Sequence, residues 1–223
     1  MATILLGFNN NPNIGLYAFV TDKFALVGRE LDDITVAEIQ RVLDVPVHRV
    51  SIAGTSLIGV FLTGNSDMVY VPGIAFENEL EDLKKLGIDY TVFNTDLTCL
   101  GNNIILNKHG AIMSSQFSNQ DVIKFKKLVP KLKVEVSDIA DTNTPGACIA
   151  INGNLALIHR DISPAQSDLL ESTLKLELVP TTINLGVPYI KSGILCNDKG
   201  LIIGEASGPA EITYAESGLG YIL

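Results

Sequence analysis

A five-fold repetition constrains this chain more than any other feature of its sequence. The segments CNDKGLIIG (Cys196 to Gly204), LNKHGAIM (Leu106 to Met113) and INGNLALI (Ile151 to Ile158) each set a polar turn before a short apolar strand, the pattern of a β-hairpin tip. With the turn residue as a marker, the series runs Thr21, Asn65, Asn107, Asn152 and Asn197, at intervals of 44, 42, 45 and 45 residues. Each marker leads into an apolar strand: ALVG from Ala25, VYVP from Val69, AIMS from Ala111, ALIH from Ala156 and LIIG from Leu201. Six positions before the marker stand Gly15, Gly59, Gly101 and Gly146; in the fifth unit the register is expected to slip, with Gly193 the nearest glycine.

A helix follows each apolar strand. Ser163, Pro164 and Gln166 form a capping-box start with proline at the first helical position, leading into Leu169, Leu170 and Leu174. Ser118 opens Val122, Phe125 and Val129; the second unit shows Leu80, Leu83 and Leu86, and the first Val36, Ile39 and Leu43. Extended stretches come next, at VPVHRV from Val45, DYTVF from Asp89, LKVEV from Leu132 and LELV from Leu176. Each unit therefore reads strand, turn, strand, helix, strand.

The fifth unit lacks its last strand, because after the helix opened by Gly208 and Pro209 the chain runs out at GYIL. An unassigned strand, TILLG from Thr3 to Gly7, precedes the first unit. Closure solves both problems: the N-terminal strand completes the last unit and joins the ends. An open solenoid would need polar caps on its terminal repeats, and a helix in every unit argues against an all-β propeller. The expected fold class is α/β, a β/α propeller of five pseudo-symmetric repeats closed into a ring. The approximate boundaries are 8–50, 51–94, 95–138, 139–183 and 184–223, with strand 1–7, all in a single domain.

Composition narrows the function classes. With 47% hydrophobic and 18% charged residues the chain can bury a full core. A formal net charge of −9 argues against general nucleic-acid binding, which rests on Lys and Arg displacing counterions from phosphates. MATILLGF lacks a basic start and enough apolar residues for a signal peptide, so a cytoplasmic location is expected. Cys99, Cys148 and Cys196 are widely spaced and odd in number, which suggests neither disulfides nor a metal site.

SIAGTSLIGVFLTGN (Ser51 to Asn65), ending in a strand with Pro72, resembles the second-repeat signature of the translation initiation factor 6 family, ribosome anti-association factors of archaea and eukaryotes. NIG (Asn13 to Gly15), LGN (Leu100 to Asn102) and TINLG (Thr182 to Gly186) are similar to its motifs in the first, third and last repeats, and order and spacing match along essentially the whole chain. The resemblance implies the pentein form of the ring, in its short archaeal version. It implies a non-enzymatic factor, needing no cofactor or metal and no membrane. Such a factor docks as a monomer on the large ribosomal subunit, against the C-terminal part of ribosomal protein uL14 and near the sarcin-ricin loop. There it blocks joining of the small subunit; a part in large-subunit biogenesis needs the same surface.

The pseudo-fivefold arrangement places the loops before each unit's first strand on one end of the ring. The expected ribosome-binding residues are therefore Asn13, Ile14 and Gly15; Ser56, Leu57 and Gly59; Leu100, Gly101 and Asn102; Thr144, Pro145 and Gly146; and Asn184, Leu185 and Gly186. Glycines at matching places also suit close packing. Asn102 and Asn184 stand out, since an amide either braces its own loop or offers a donor and an acceptor to a partner. Val60 and Leu185 depart from the family by standing where many members carry a basic residue, which implies a more apolar interface.

Two further features remain. Lys124, Lys126, Lys127, Lys131 and Lys133 form a basic cluster without interleaved aromatics, read as a solvated helix face, with an RNA contact as the alternative. The pentein ring also hosts guanidine-modifying hydrolases and amidinotransferases with a cysteine nucleophile. Here that role would fall to Cys196, with His48, His109 or His159 as its partner.

Overall fold

Each polar marker turns the chain back on itself, and the computed structural model, which describes residues 2–222, shows a hairpin at every one. The first unit contains β2 (Ala18–Val20), β3 (Ala25–Gly28), α1 (Asp33–Leu43) and β4 (Val47–Val50), and it follows β1 (Ala2–Leu6) at the chain start. The second contains β5 (Thr63–Gly64), β6 (Val69–Pro72), α2 (Glu77–Lys85) and β7 (Tyr90–Phe93). The third contains β8 (Ile104–Leu106), β9 (Gly110–Met113), α3 (Asn119–Leu128) and β10 (Lys133–Val136). The fourth contains β11 (Ile149–Asn152), β12 (Leu155–His159), α4 (Pro164–Leu174) and β13 (Glu177–Thr181). The fifth contains β14 (Ile194–Cys196), β15 (Gly200–Gly204) and α5 (Pro209–Gly218).

Five three-stranded sheets result. In each, the middle strand pairs antiparallel with its hairpin partner and parallel with the strand after the helix, which needs a helical crossover. In the fifth sheet the parallel partner is β1, in register from Ala2 opposite Gly200 to Leu6 opposite Gly204. The N-terminal strand thus closes the ring. Middle strands are covered on both faces, so β3, β6, β9 and β15 are buried at every residue and read as continuous apolar runs.

The cores lie between neighbouring sheets. Leu83 of α2 packs with Leu26 of the first sheet and Val71 of the second; Leu170 and Leu174 of α4 pack with Ile112 of the third sheet and Ile158 of the fourth. Burying a side chain such as Leu83 contributes about 1.5–3 kcal/mol, and here that energy binds one unit to the next.

The markers recur because they join units. Asn107, Asn65 and Asn197 each accept two N–H groups of their own turn through Oδ1, and the Thr21 hydroxyl does the same. Three markers also donate through Nδ2 to a carbonyl at the end of the next unit's helix: Asn107 to Leu174 at 2.7 Å, Asn152 to Leu219 at 2.9 Å and Asn197 to Leu43 at 2.8 Å. They satisfy acceptors that a helix C-terminus leaves open.

Candidate functional site: the loop end of the ring

Before its first strand every unit makes a single helical turn, at Ile14–Leu16, Ile58–Phe61, Leu100–Asn103, Pro145–Cys148 and Ile190–Gly193. No local signal in the sequence marks these turns. Their second residues are Gly15, Gly59, Gly101, Gly146 and Lys191. The register therefore does not slip in the fifth unit; Lys191 occupies the glycine position, and Gly193 instead packs beside Ile183 and Asn184.

Glycine is required by the approach of one turn to the next. A Cβ on Gly59 would lie 2.0 Å from the Gly15 carbonyl oxygen, one on Gly101 2.2 Å from that of Gly59, and one on Gly146 2.4 Å from that of Gly101. On Gly15 it would lie 1.9 Å from the Lys191 carbonyl oxygen. Lys191 sends its side chain into the ring, where Nζ donates to the Gly101 carbonyl at 2.7 Å. Burial lowers its ammonium to about 8.

Tight turns open the first, second, fourth and fifth units at this end. Ala53, Ala140, Asn184 and Leu185 hold positive φ there, a conformation that costs energy for residues with a side chain. The third residue of a neighbouring helix braces three of these turns. Glu79 accepts from Ala53 N and Gly54 N, both at 2.8 Å; Gln166 accepts from Ala140 N at 3.1 Å; Glu211 accepts from Leu185 N at 3.0 Å and Gly186 N at 2.9 Å. Burial pushes the Glu211 carboxyl up, but hydrogen bonds from Thr182, Gly208, Gly186 and Leu185 outweigh it and hold the group below its ordinary value.

The expected contact residues divide sharply on burial. Ile14, Gly15, Ser56, Gly59, Leu100, Gly101, Pro145, Gly146 and Asn184 are buried in the packing between units, so their side chains are not available to a partner on the intact ring. Asn184 is the clearest case of a bracing role. It is 7% exposed, its Nδ2 donates to Pro12 O at 3.1 Å and Asn13 Oδ1 at 3.3 Å, and its Oδ1 accepts from Ser207 Oγ at 3.2 Å. The amide ties the fifth unit to the first. Asn13, Leu57, Asn102 and Thr144 are half-buried, Gly186 is exposed, and Leu185 is 78% exposed.

One depression of about 350 Å³ is lined from all five units: Asn13, Asn102, Thr144 and Tyr189 line it as accessible residues of the first, third, fourth and fifth, and the buried Gly59 is the second unit's contribution. Tyr189, 42% exposed and set edge-on to His159 at 6.1 Å, was not singled out from the sequence; a lone aromatic in a loop gives no periodic signal. Asn103 was also missed. It is buried, its Nδ2 holds Cys99 O at 2.8 Å, and its Oδ1 has no partner among the described residues.

Nucleophilic chemistry finds no support in the cysteines. Cys196 Sγ donates to Ile151 O at 3.4 Å, and burial, reinforced by the Asp22 charge, pushes its thiol up to about 12. Burial does the same to Cys148. His109 is exposed in its hairpin turn, while the buried His159 accepts from Asp161 N at 3.2 Å at the loop end. Among the described residues no group of three or more His, Cys, Asp or Glu side chains is arranged to hold a metal ion, and no helix is long and apolar enough to cross a membrane.

A family model described as the eIF-6 family matches residues 3–218 of this chain. The chain belongs to that family. Similar proteins called translation initiation factor 6 include one from Thermococcus onnurineus, 30% identical, covering 97% of both chains, and one from Staphylothermus marinus, 33% identical, covering 98% of both. This eIF-6 family member is accordingly a translation factor and not an enzyme. Its fold is shared with hydrolases. The N-terminal domain of ArgZ bound covalently to a reaction intermediate aligns with a TM-score of 0.56 at 9% identity, covering 87% of this chain and 73% of that one. A dimethylarginine dimethylaminohydrolase in adduct with S-methyl-L-thiocitrulline aligns with a TM-score of 0.54 at 11% identity, covering 76% and 68%. At such identities the likeness establishes the pentein-type ring alone.

Proposed function

We propose that this protein is a ribosome anti-association factor that docks by the loop end of its ring on the large ribosomal subunit and sterically prevents joining of the small subunit. The observation that supports this reading is the convergence of all five units on one depression at one end of a closed ring, with accessible residues from the first, third, fourth and fifth, in a chain of the eIF-6 family. Steric exclusion needs no chemistry, only a rigid body. Neighbouring units share cores, and the β1 pairing with β15 leaves no free end to open.

The partner we infer is ribosomal protein uL14, with the sarcin-ricin loop nearby, and the factor acts as a monomer. A specific interface buries roughly 1,200–2,000 Å² in total, within reach of one end of such a ring. Net charge −9 suits a basic ribosomal protein and raises the association rate more than the affinity. The exposed Leu185 and Tyr189 supply an apolar and aromatic anchor of the sort that carries binding energy at interfaces. The same docking serves large-subunit biogenesis.

Co-sedimentation with purified archaeal large and small subunits, with subunit joining followed in the same mixtures, tests the reading. Binding to the large subunit alone with joining suppressed is expected. Binding to neither subunit, or binding without effect on joining, overturns it.

A further inference from the structure

Lys191 is the point at which the ring departs from its own symmetry. Four units place glycine at the second position of the helical turn, and the fifth places there the longest amine in the repertoire. Its side chain lines the 350 Å³ depression at the loop end and also a larger cavity of about 430 Å³ that runs along the ring axis to the hairpin end. Nζ reaches from the fifth unit to the Gly101 carbonyl of the third, and so stands across the axis. An ammonium carries three N–H donors, and Gly101 takes one. No carboxylate of the described residues forms an ion pair with it, and burial alone accounts for its lowered proton affinity. Lys191 is half-buried, and a partly desolvated cation without a counter-ion is stabilised by an anion that reaches it.

The cavity walls combine apolar side chains with backbone strand edges. They are formed by the inner strands β2, β5, β8, β11 and β14, each of which pairs in its sheet on one side only, so that backbone groups of the other edge lack a ladder partner; among these, Ile104 O accepts from Thr63 Oγ1 and Ile151 O from Cys196 Sγ. The volume falls within the range of small-molecule sites, roughly 300–1,000 Å³. At the hairpin end the rim carries Asp22, Asp67 and Lys108, with Asp67 already paired to Lys23 at 2.6 Å. A rim with two acids, one of them paired to Lys23, and one base discourages a polyanion such as nucleic acid while leaving room for a small anion.

We propose that the axial cavity binds a small oxyanion-bearing molecule, a carboxylate or a phosphate, with Lys191 Nζ as counter-ion and the free edges of the inner strands as its other partners. The site is reached from the hairpin end and does not depend on the docking reading.

The test is a titration of the full chain, labelled with ¹⁵N, by sodium phosphate and separately by sodium acetate, with sodium chloride matching ionic strength. Saturable shifts at the amides of Gly101, Lys191 and Cys196 are expected, at least tenfold weaker in Lys191→Met and retained in Lys191→Arg. A response to phosphate alone or to acetate alone supports the proposal and names the chemistry. Absence of saturation with both anions, or identical titrations in Lys191→Met, overturns it. If the Met variant does not fold, Lys191→Gln is read in its place, and the wild-type titration remains decisive on its own.

Discussion

Asn197 and Leu43 lie 154 positions apart in the chain and share a hydrogen bond of 2.8 Å, from the amide of the last hairpin to the C-terminal turn of the first helix. The same amide accepts Lys199 N at 3.0 Å and Gly200 N at 3.1 Å, and the residue is 3% exposed. Asn197→Ala therefore removes both the turn and the seam between last and first units. A destabilisation of about 2–3 kcal/mol is expected by urea unfolding, since buried donors and acceptors are left unpaired. Asn65→Ala removes only the turn bonds to Asp67 N and Met68 N and should cost about 1 kcal/mol. Equal losses in the two variants would contradict the seam.

Gly59→Ala tests the glycine ring. The new Cβ would stand 2.0 Å from the Gly15 carbonyl oxygen and 2.5 Å from that of Ala18, both backbone atoms without rotamers to yield. Alanine's better helix propensity, worth about 1 kcal/mol, cannot offset this clash. We expect a loss of at least about 3 kcal/mol, or no folded protein, with circular dichroism as the readout. Gly208→Ala is the control. Its nearest neighbour would be Leu185 Cδ2 at 3.7 Å, and it should cost no more than about 1 kcal/mol.

The repeat was legible because its signals are local. Ser163, Pro164 and Gln166 announce a capping box that the structure contains, and Ser118 caps α3 through Asp121 N. Closure was legible by counting, since β1 was the one strand without a unit. Burial of the loops was not, because it depends on partners far away in the chain. Asn184 has the composition of a contact residue, yet its partners Pro12 and Asn13 precede it by 172 and 171 positions. Lys191 was missed for a different reason. The repeat pattern calls for glycine where the turns approach closely, and a lysine that solves the fifth position by entering the axis reads in the sequence as a slipped register.

Glu211 gives a pH dependence with a definite sign. Its carboxyl is held below the ordinary 4.5 in the folded ring by Thr182, Gly208, Gly186 and Leu185, against the opposing effect of burial. The folded state thus favours the ionised form. The resulting stability is fully present above about pH 4.5 and is lost as pH falls through the lower folded value. Glu211→Gln keeps the shape but turns amide hydrogens toward N–H donors, and should cost about 2 kcal/mol at pH 7. The difference between wild type and variant should narrow on acidification. A gap that stays constant from pH 7 to acid would show that the carboxylate does not brace the Leu185 turn in its charged form.

Docking through the loop end is tested by two accessible residues on different units. Asn102 is half-buried beside the depression, and its backbone N–H is bonded to Cys99 O at 3.1 Å while its side chain has no hydrogen bond among the described residues. Leu185 projects from the tip of its turn at φ 60°. Asn102→Arg places bulk and charge at the centre of the proposed contact, and Leu185→Asp places a carboxylate where an apolar anchor faces the partner. Both should fold with unchanged thermal midpoints within a few degrees, because neither removes a buried contact. Each should weaken co-sedimentation with the large subunit at least tenfold, the loss of about 1.4 kcal/mol that one interface residue of moderate weight carries. Lys126→Glu, on the exposed face of α3, serves as the comparison for charge alone and should leave binding within about twofold if the basic helix is only solvated. Folded Asn102 and Leu185 variants that bind as the wild type does would move the docking surface away from this end of the ring; a strong effect at Lys126 would place it on the third unit's flank.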